Sequence, residues 1–322
     1  MAPNEEELAS LFCQLADGAQ LLKGEPRFLQ RRREEDGSIY EDVWDVFLGK
    51  EGPAAACAPQ LGDGALSGQT HFILKRAKDH EAEIYRTFLS PAKSYAPRLW
   101  ASAERGGDTF LLLEYVEGEN LQRATMRKLA AAINSLRAMQ DEYWGSSPST
   151  VGLSFETSFA SLKKRRQYLL SPLLERHFDE FLSLYEVLPK TLCHADLLPF
   201  NLIVCRNEER AVLLDWEAGG ILPYPESLAR LIAHGRTHGE LFRMTPRQRA
   251  CAAEMYYARF ASRHGISHQE FARALSYFVF AETCEWVFLG NKHGRGDCPY
   301  YAPYFRAALR MARILDRGEL LF

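Results

Sequence analysis

The stretch TLCHADLLPFNLIV, Thr191 to Val204, and the AVLLDWEAGG that follows it, Ala211 to Gly220, decide how this chain is read. Both look like buried β-strand, yet they carry His194, Asp196, Asn201 and Asp215. Asn201 follows Asp196 by five residues and Asp215 follows Asn201 by fourteen, an order expected to sit on a short β-hairpin. That set suits phosphoryl transfer. Charge spreads over the transferred phosphoryl oxygens, so a protein mainly positions the nucleophile and holds Mg²⁺ on the phosphates. Mg²⁺ takes hard oxygen ligands, usually one or two from the protein, and Asn201 and Asp215 supply them. Asp196 can accept the hydrogen bond of the hydroxyl to be phosphorylated. His194 is read as bracing the loop rather than reacting, and Trp216 as packing. Glu217 is read either as a substrate contact or as half of a salt bridge. Turn-forming use of Asp and Asn is the simpler alternative, but it does not account for this spacing with a His ahead and Trp-Glu behind.

Outward from this stretch, the preceding sequence changes character near Glu117. Before it, RFLQRRRE and IYEDVWDVFLG flank Asp36-Gly37 and read as a hairpin, since that pair supplies the positive backbone angle of a tight reversal. The Gly-, Pro- and Ala-rich KEGPAAACAPQLGDGALSGQ reads as a long loop. THFILKRA reads as a strand, DHEAEIYRTFLS as a short helix, and APRLWASAE and DTFLLLEYVEG as strands separated by Gly106-Gly107. After EGENL, apolar residues recur at helical spacing from Leu129 to Met139, and two further helices break at Ser171-Pro172, where Pro suits a first turn. From about Pro225 the chain is helical and rich in aromatic residues.

Composition excludes several classes. With 322 residues and 47% hydrophobic content the chain can bury a large core, and a net charge of −3 calls for neither nucleic acid nor an anionic membrane as partner. The basic runs Arg31 to Arg33 and Lys163 to Arg166 are short and are read as solvated. No apolar run reaches the roughly 18 residues of a spanning helix, and MAPNEEELASLF lacks the layout of a signal peptide. The seven cysteines form no CxxC pair and no zinc spacing. A cytoplasmic protein is expected, and its oligomeric state is not legible.

The motif His194-x-Asp196-x4-Asn201 followed by Asp215-Trp216-Glu217 resembles that of the aminoglycoside phosphotransferase and choline kinase group, which has the protein-kinase-like fold. The resemblance spans roughly Phe28 to Leu231. It implies an α+β architecture: a small antiparallel sheet with one helix over residues 1–117 and a larger, mostly helical part over 118–322, with the active site between them. It implies ATP and Mg²⁺ as cofactors. Lys75 on the third strand would hold the α and β phosphates, oriented by Glu81, with Glu83 as the other choice. The backbone from Glu114 to Val116 would meet the adenine edge.

The chain departs from the family in three places. It has no G-x-G-x-x-G loop, so the candidate phosphate cover is the turn holding Gly37 and Ser38. Ala195 stands where the family usually has Gly. Ser227 occupies the acidic position of the family's D-L-A, leaving either Glu226 to substitute or the bracing contact absent.

The reading implied is an ATP-dependent kinase of a small hydroxyl-bearing molecule, with cationic acceptors among the candidates. The alternatives are a catalytically weak nucleotide-binding or scaffold protein of the same fold, or a protein kinase. Against the last stand H-A-D, D-W-E, the lack of A-P-E, and only about ten residues between Asp215 and the next helix. Two cation sites are weighed. One is an aromatic cage drawn from Tyr256, Tyr257, Phe260, Tyr277, Phe278, Phe280, Trp286, Phe288 and PYYAPYF; the other is the helix face of Glu282, Glu285 and Trp286. Aromatic residues at helical spacing more often form core. His234, His238 and His293 are read as surface residues.

Overall fold

A computed structural model of the chain describes residues 4–19, 21, 25–32, 39–48, 70–206, 209–234, 244–294 and 299–322. Gly37, Ser38, the glycine-rich stretch of residues 50–69 and His238 lie outside the described residues. The chain divides into two compact units, one of Met1–Lys93 with Pro97–Val116, the other of Ser94–Ala96 with Glu117–Phe322.

The first unit is built on a five-stranded antiparallel sheet in the order β1-β2-β3-β5-β4. Its strands are β1 (Pro26–Arg32), β2 (Ile39–Leu48), β3 (Thr70–Arg76), β4 (Leu99–Arg105) and β5 (Asp108–Glu114). The β4–β5 turn uses Gly106 and Gly107 at φ 62° and 88°, a left-handed pair open to glycine without a Cβ clash. Period-two alternation sends Trp44, Val46, Phe72, Leu74, Phe110 and Leu112 to one face.

That face is covered by α1 (Glu5–Gly18), a helix the sequence reading does not anticipate. Its signals are ordinary. Asn4 and Glu7 form a capping box, and Leu8, Leu11, Phe12 and Leu15 recur at three and four spacing to fill the core against the sheet. With that face taken, the intervening side chains of β3, Lys75 among them, stand on the opposite face. There α2 (Glu81–Thr87) buries Glu81, Ile84 and Tyr85.

The second unit contains β6 (Gly118–Asn120), α3 (Met126–Glu142), α4 (Phe155–Arg166), α5 (Pro172–Val187), β7 (Lys190–His194), β8 (Leu202–Cys205), β9 (Ala211–Leu213) and β10 (Gly219–Pro223). It continues through α6 (Glu226–Ala233), α7 (Pro246–Arg259), α8 (His268–His293) and α9 (Tyr301–Asp316). Pro172 takes the first turn of α5. The long α8 packs against α5, α6 and α9.

Two small sheets carry the polar motif. β7 pairs antiparallel with β10, while β8 lies between β6 and β9. The opening stretch is therefore not one hairpin: its two strands belong to different sheets, and the loop from Ala195 to Asn201 crosses between them. The hairpin is β8–β9, with Asn201 just before it and Asp215 shortly after it. Gly220 lets β10 come close to Leu153, whose carbonyl would lie 2.2 Å from an added Cβ.

Candidate active site

The loop after β7 is folded by its own polar groups. The Asp196 carbonyl accepts the Leu198 N–H at 2.8 Å, and the Leu198 carbonyl accepts the Asn201 N–H at 2.9 Å. The Asn201 amide nitrogen then donates back to the Asp196 carbonyl at 2.8 Å and to Asp196 Oδ2 at 3.1 Å. With its NH₂ committed to Asp196, the side chain of Asn201 has its amide oxygen as acceptor for another partner. The Asn201 carbonyl takes the Leu214 N–H at 2.9 Å, which ties this loop to the end of the β8–β9 hairpin.

Asp215 follows in the left-handed region at φ 62°, ψ 63°, a conformation that Asp tolerates better than most residues and that ends the strand sharply. The next three residues, Trp216–Ala218, form a 3-10 turn. Trp216 is fully buried, donates Nε1–H to the Leu213 carbonyl at 2.9 Å, and packs its ring 4.9 Å from that of His194.

His194 is fully buried. Its Nε2 lies 2.6 Å from the Leu214 carbonyl, which can only accept, so Nε2 carries the proton. Burial lowers the imidazole below its ordinary value against the opposing pull of Leu214, Asp196 and Asp215, and the ring stays neutral. A buried neutral imidazole held through Nε2 and packed against Trp216 is a brace. Its own backbone N–H donates to the Ser227 hydroxyl at 2.8 Å, with both residues at 0% exposure. So Ser227 makes the bracing contact itself. Glu226 does not substitute for it, and the contact is not lost.

On the sheet of the first unit, Lys75 Nζ lies 2.8 Å from Glu81, whose side chain is 1% exposed. Glu83 is half-exposed, with His80 at 3.9 Å, so Glu81 is the partner of the two. The neighbouring Arg76 is bound instead to Asp42, Nε to Oδ1 at 2.8 Å. At the end of β5 the Glu114 N–H is committed to the Arg98 carbonyl at 2.9 Å, so it is not the group left for an adenine edge.

Beside Asp196, within the second unit, a cavity of about 360 Å³ is lined by Ala195, Glu217, Glu226, Arg230, Glu282 and Glu285 among others. Arg165, Phe278 and Phe288 also face it. Burial first, and then the Glu282 charge, push the Glu226 carboxyl up to about 8. Burial acts the same way on Glu282, but Arg230 and His234 outweigh it and bring that carboxyl down to about 2.

Arg230 and His234 have no distinguishing mark in the sequence. Arg230 donates from Nη2 and Nε to Asp196 Oδ1 at 2.8 and 3.2 Å, and from Nη1 to Glu285 at 2.5 Å and Glu282 at 3.0 Å. His234 is 5% exposed rather than on the surface, with Tyr304, Arg230 and Glu282 around its ring. His234, Glu282 and Glu285 have ligand atoms within 4.8 Å of one another, as a metal would need, but the Arg230 guanidinium already sits among them. Among the described residues the aromatic side chains do not form a cage. Tyr256, Phe260, Phe278 and Phe280 are core, Trp286 packs on Tyr300 and Tyr304, and of the residues weighed for the cage only Phe278 and Phe288 line the cavity, among the described residues.

A profile of the phosphotransferase enzyme family matches residues 63–261, more than half of the chain. Among solved structures, Plasmodium vivax ethanolamine kinase is similar with a TM-score of 0.57 and 13% identity, over 98% of this chain and 92% of that one. An aminoglycoside phosphotransferase from Alicyclobacillus acidocaldarius gives a TM-score of 0.51 and 14% identity, over 80% and 90%. Amicoumacin kinase in complex with AMP-PNP, Ca²⁺ and Ami gives 0.54 and 11%, over 99% and 97%. At these identities the likeness is one of fold. No curated protein sequence matches the chain.

Proposed function

Because the chain belongs to the phosphotransferase enzyme family, we propose that it is an ATP-dependent kinase that phosphorylates a hydroxyl of a small, cationic acceptor. The observation that carries this reading is the Asn201 amide, which donates to both the carbonyl and the carboxylate of Asp196 and so couples two of the groups that phosphoryl transfer requires.

In this reading Asp196 Oδ2 accepts the proton of the acceptor hydroxyl. The acceptor oxygen bonds to the γ-phosphorus as the bond to the β–γ bridging oxygen breaks, and ADP leaves with that electron pair. Lys75, held by Glu81, takes the α and β phosphates. The donors at the end of the β8–β9 hairpin fit Mg²⁺: a carboxylate from Asp215 and an amide oxygen from Asn201 are hard ligands, few enough to leave room for phosphates and water. When bound, Mg²⁺ would neutralise charge on the phosphates. His194 and Ser227 keep the loop of Asp196 in place.

The acceptor is assigned to the 360 Å³ cavity whose wall includes Asp196. Its carboxylates outnumber its guanidinium groups, since Asp196, Glu217, Glu282 and Glu285 face Arg165 and Arg230. An ammonium-bearing acceptor would restore balance. The test is MgATP consumption across amino alcohols, sugars, nucleosides and aminoglycosides. A cationic alcohol should stimulate ADP release, and Asp196→Ala should abolish it. An Asp196→Ala protein that turns over the same acceptor at the wild-type rate would sink the reading.

A further inference from the structure

Asp196 is held from two sides. Asn201 holds Oδ2 at 3.1 Å, and Arg230 holds Oδ1 through two donors at 2.8 and 3.2 Å. The first contact is local, five residues along the same loop. The second comes from α6, and α6 is not its only anchor: the far nitrogen of the guanidinium reaches Glu282 at 3.0 Å and Glu285 at 2.5 Å on α8. Only 15% of the Arg230 side chain is exposed. Burial opposes its charge, but Glu285, Glu282 and Asp196 outweigh that and raise its pKa well above the ordinary value.

We propose that Arg230 is a positioning residue that sets the aim of Asp196 at the acceptor, with Glu282 and Glu285 on the cavity wall fixing its guanidinium from the other side. This rests on the reading of Asp196 as the group that receives the hydroxyl proton.

The guanidinium is planar and rigid, with its Nε–Nη2 edge on Asp196 and its Nη1 on Glu282 and Glu285. Held to Glu282 and Glu285 on α8 through Nη1, it has little freedom to rotate at the Nε–Nη2 edge that meets Asp196. Asp196 Oδ1 is therefore fixed in direction. A lysine ammonium in its place carries the same charge on a flexible stem and cannot span Asp196 and the α8 pair with a fixed fork. Misplacement of a reacting group by about 1 Å can cost on the order of 100-fold in rate, so a side chain that never meets the acceptor can still control turnover. The same residue joins the acceptor cavity to Asp196, so an ammonium that draws on Glu282 or Glu285 also acts on the anchor of Arg230.

Three variants separate positioning from charge neutralisation: Arg230→Met, Arg230→Lys, and Arg230→Met combined with Glu282→Gln and Glu285→Gln. The single Arg230→Met leaves three carboxylates, Asp196, Glu282 and Glu285, without their cation and should lose thermal stability; the triple variant neutralises the two on α8 and should regain most of it. Turnover is read as ADP release from MgATP, with water and with the best acceptor of the screen. Arg230→Met is expected to lower kcat about 100-fold with the KM for MgATP within about twofold. Arg230→Lys should stay at least about tenfold low, and the triple variant should recover stability without recovering kcat. Full kcat in Arg230→Lys, or kcat returning with stability in the triple variant, overturns the proposal.

A crystal structure of the triple variant decides the question without any turnover. Asp196 should leave its contact with Asn201 Nδ2, and an unchanged Asp196 rotamer at the present 3.1 Å overturns the proposal as well. A wild-type protein that releases no ADP with any acceptor would instead count against the phosphotransfer reading, while the crystal structure still answers for Arg230.

Discussion

The backbone N–H of His194 donates to the hydroxyl of Ser227 at 2.8 Å, and neither residue has any exposed surface. This contact ties the end of β7, from which the Asp196 loop departs, to the first turn of α6. A buried N–H without an acceptor costs about 1–3 kcal/mol. Ser227→Ala should therefore lower stability by that amount in urea unfolding with an unchanged m-value, and should lower kcat more than the KM for MgATP. A Ser227→Ala protein as stable as wild type would show that the contact contributes nothing.

Lys75 and Glu81 make a pair that is almost wholly withdrawn from water, at 11% and 1% side-chain exposure. Removing one member of such a pair strands the other, at about 3 kcal/mol, whereas removing both costs less. Lys75→Met and Glu81→Gln should each destabilise the protein and raise the KM for MgATP at least about tenfold. In stability, the double variant should fall well short of the sum of the two. Glu83→Gln is the control, and it should match wild type in both measurements.

The parts of the site legible in the sequence are those made by neighbours in the chain. Asp196 and Asn201 are five residues apart and bond to each other directly, so their spacing already encodes the contact. Lys75 and Glu81 are six apart, joined by a strand end and a helix start, and the choice between Glu81 and Glu83 is one of helix register alone. The first three strands, the short helix and the next two strands follow from alternation and turn residues.

What could not be read depends on partners distant in the sequence. β7 pairs with β10 and β8 with β9, a choice that the apolar stretch around His194 cannot express by itself. Arg230 and His234 look like ordinary positions of an amphipathic helix, and only the packing of α6 against α8 brings them to Glu282, some fifty residues on. The helix α1 is a different case. Its capping box and apolar spacing are present in the sequence, but the acidic start MAPNEEELASLF, compared only with the layout of a targeting signal, does not reveal them.

The Glu226 carboxyl, raised by burial and by Glu282 from an ordinary value near 4.5 to about 8, gives stability a defined pH dependence. Between those values the folded protein keeps a proton that the unfolded chain has released. Stability therefore falls as pH rises through this window, by up to about 1.4 kcal/mol per pH unit for one proton, and levels off above about 8. Glu226→Gln stays neutral throughout and should lose this slope. Its Tm should exceed that of wild type at pH 8 and approach it at pH 5. Parallel Tm profiles for the two proteins would rule out a raised Glu226.

Asp215 and Asp196 can be separated by which half of the reaction each variant retains. Asp215 sits at φ 62°, where Asn is tolerated nearly as well as Asp, so Asp215→Asn should keep stability within about 1 kcal/mol. It loses the carboxylate assigned to the metal, and should therefore lose the thermal stabilisation that MgADP gives the wild-type protein. Asp196→Asn should keep that stabilisation, because the oxygens of Asn201 and Asp215 are untouched. Its turnover should nonetheless fall about 10²- to 10⁴-fold, the range for loss of a proton-accepting group. Equal MgADP shifts in the two variants would mean that Asp215 does not hold the metal, and Asp196 would remain the only carboxylate of the motif with an assigned role.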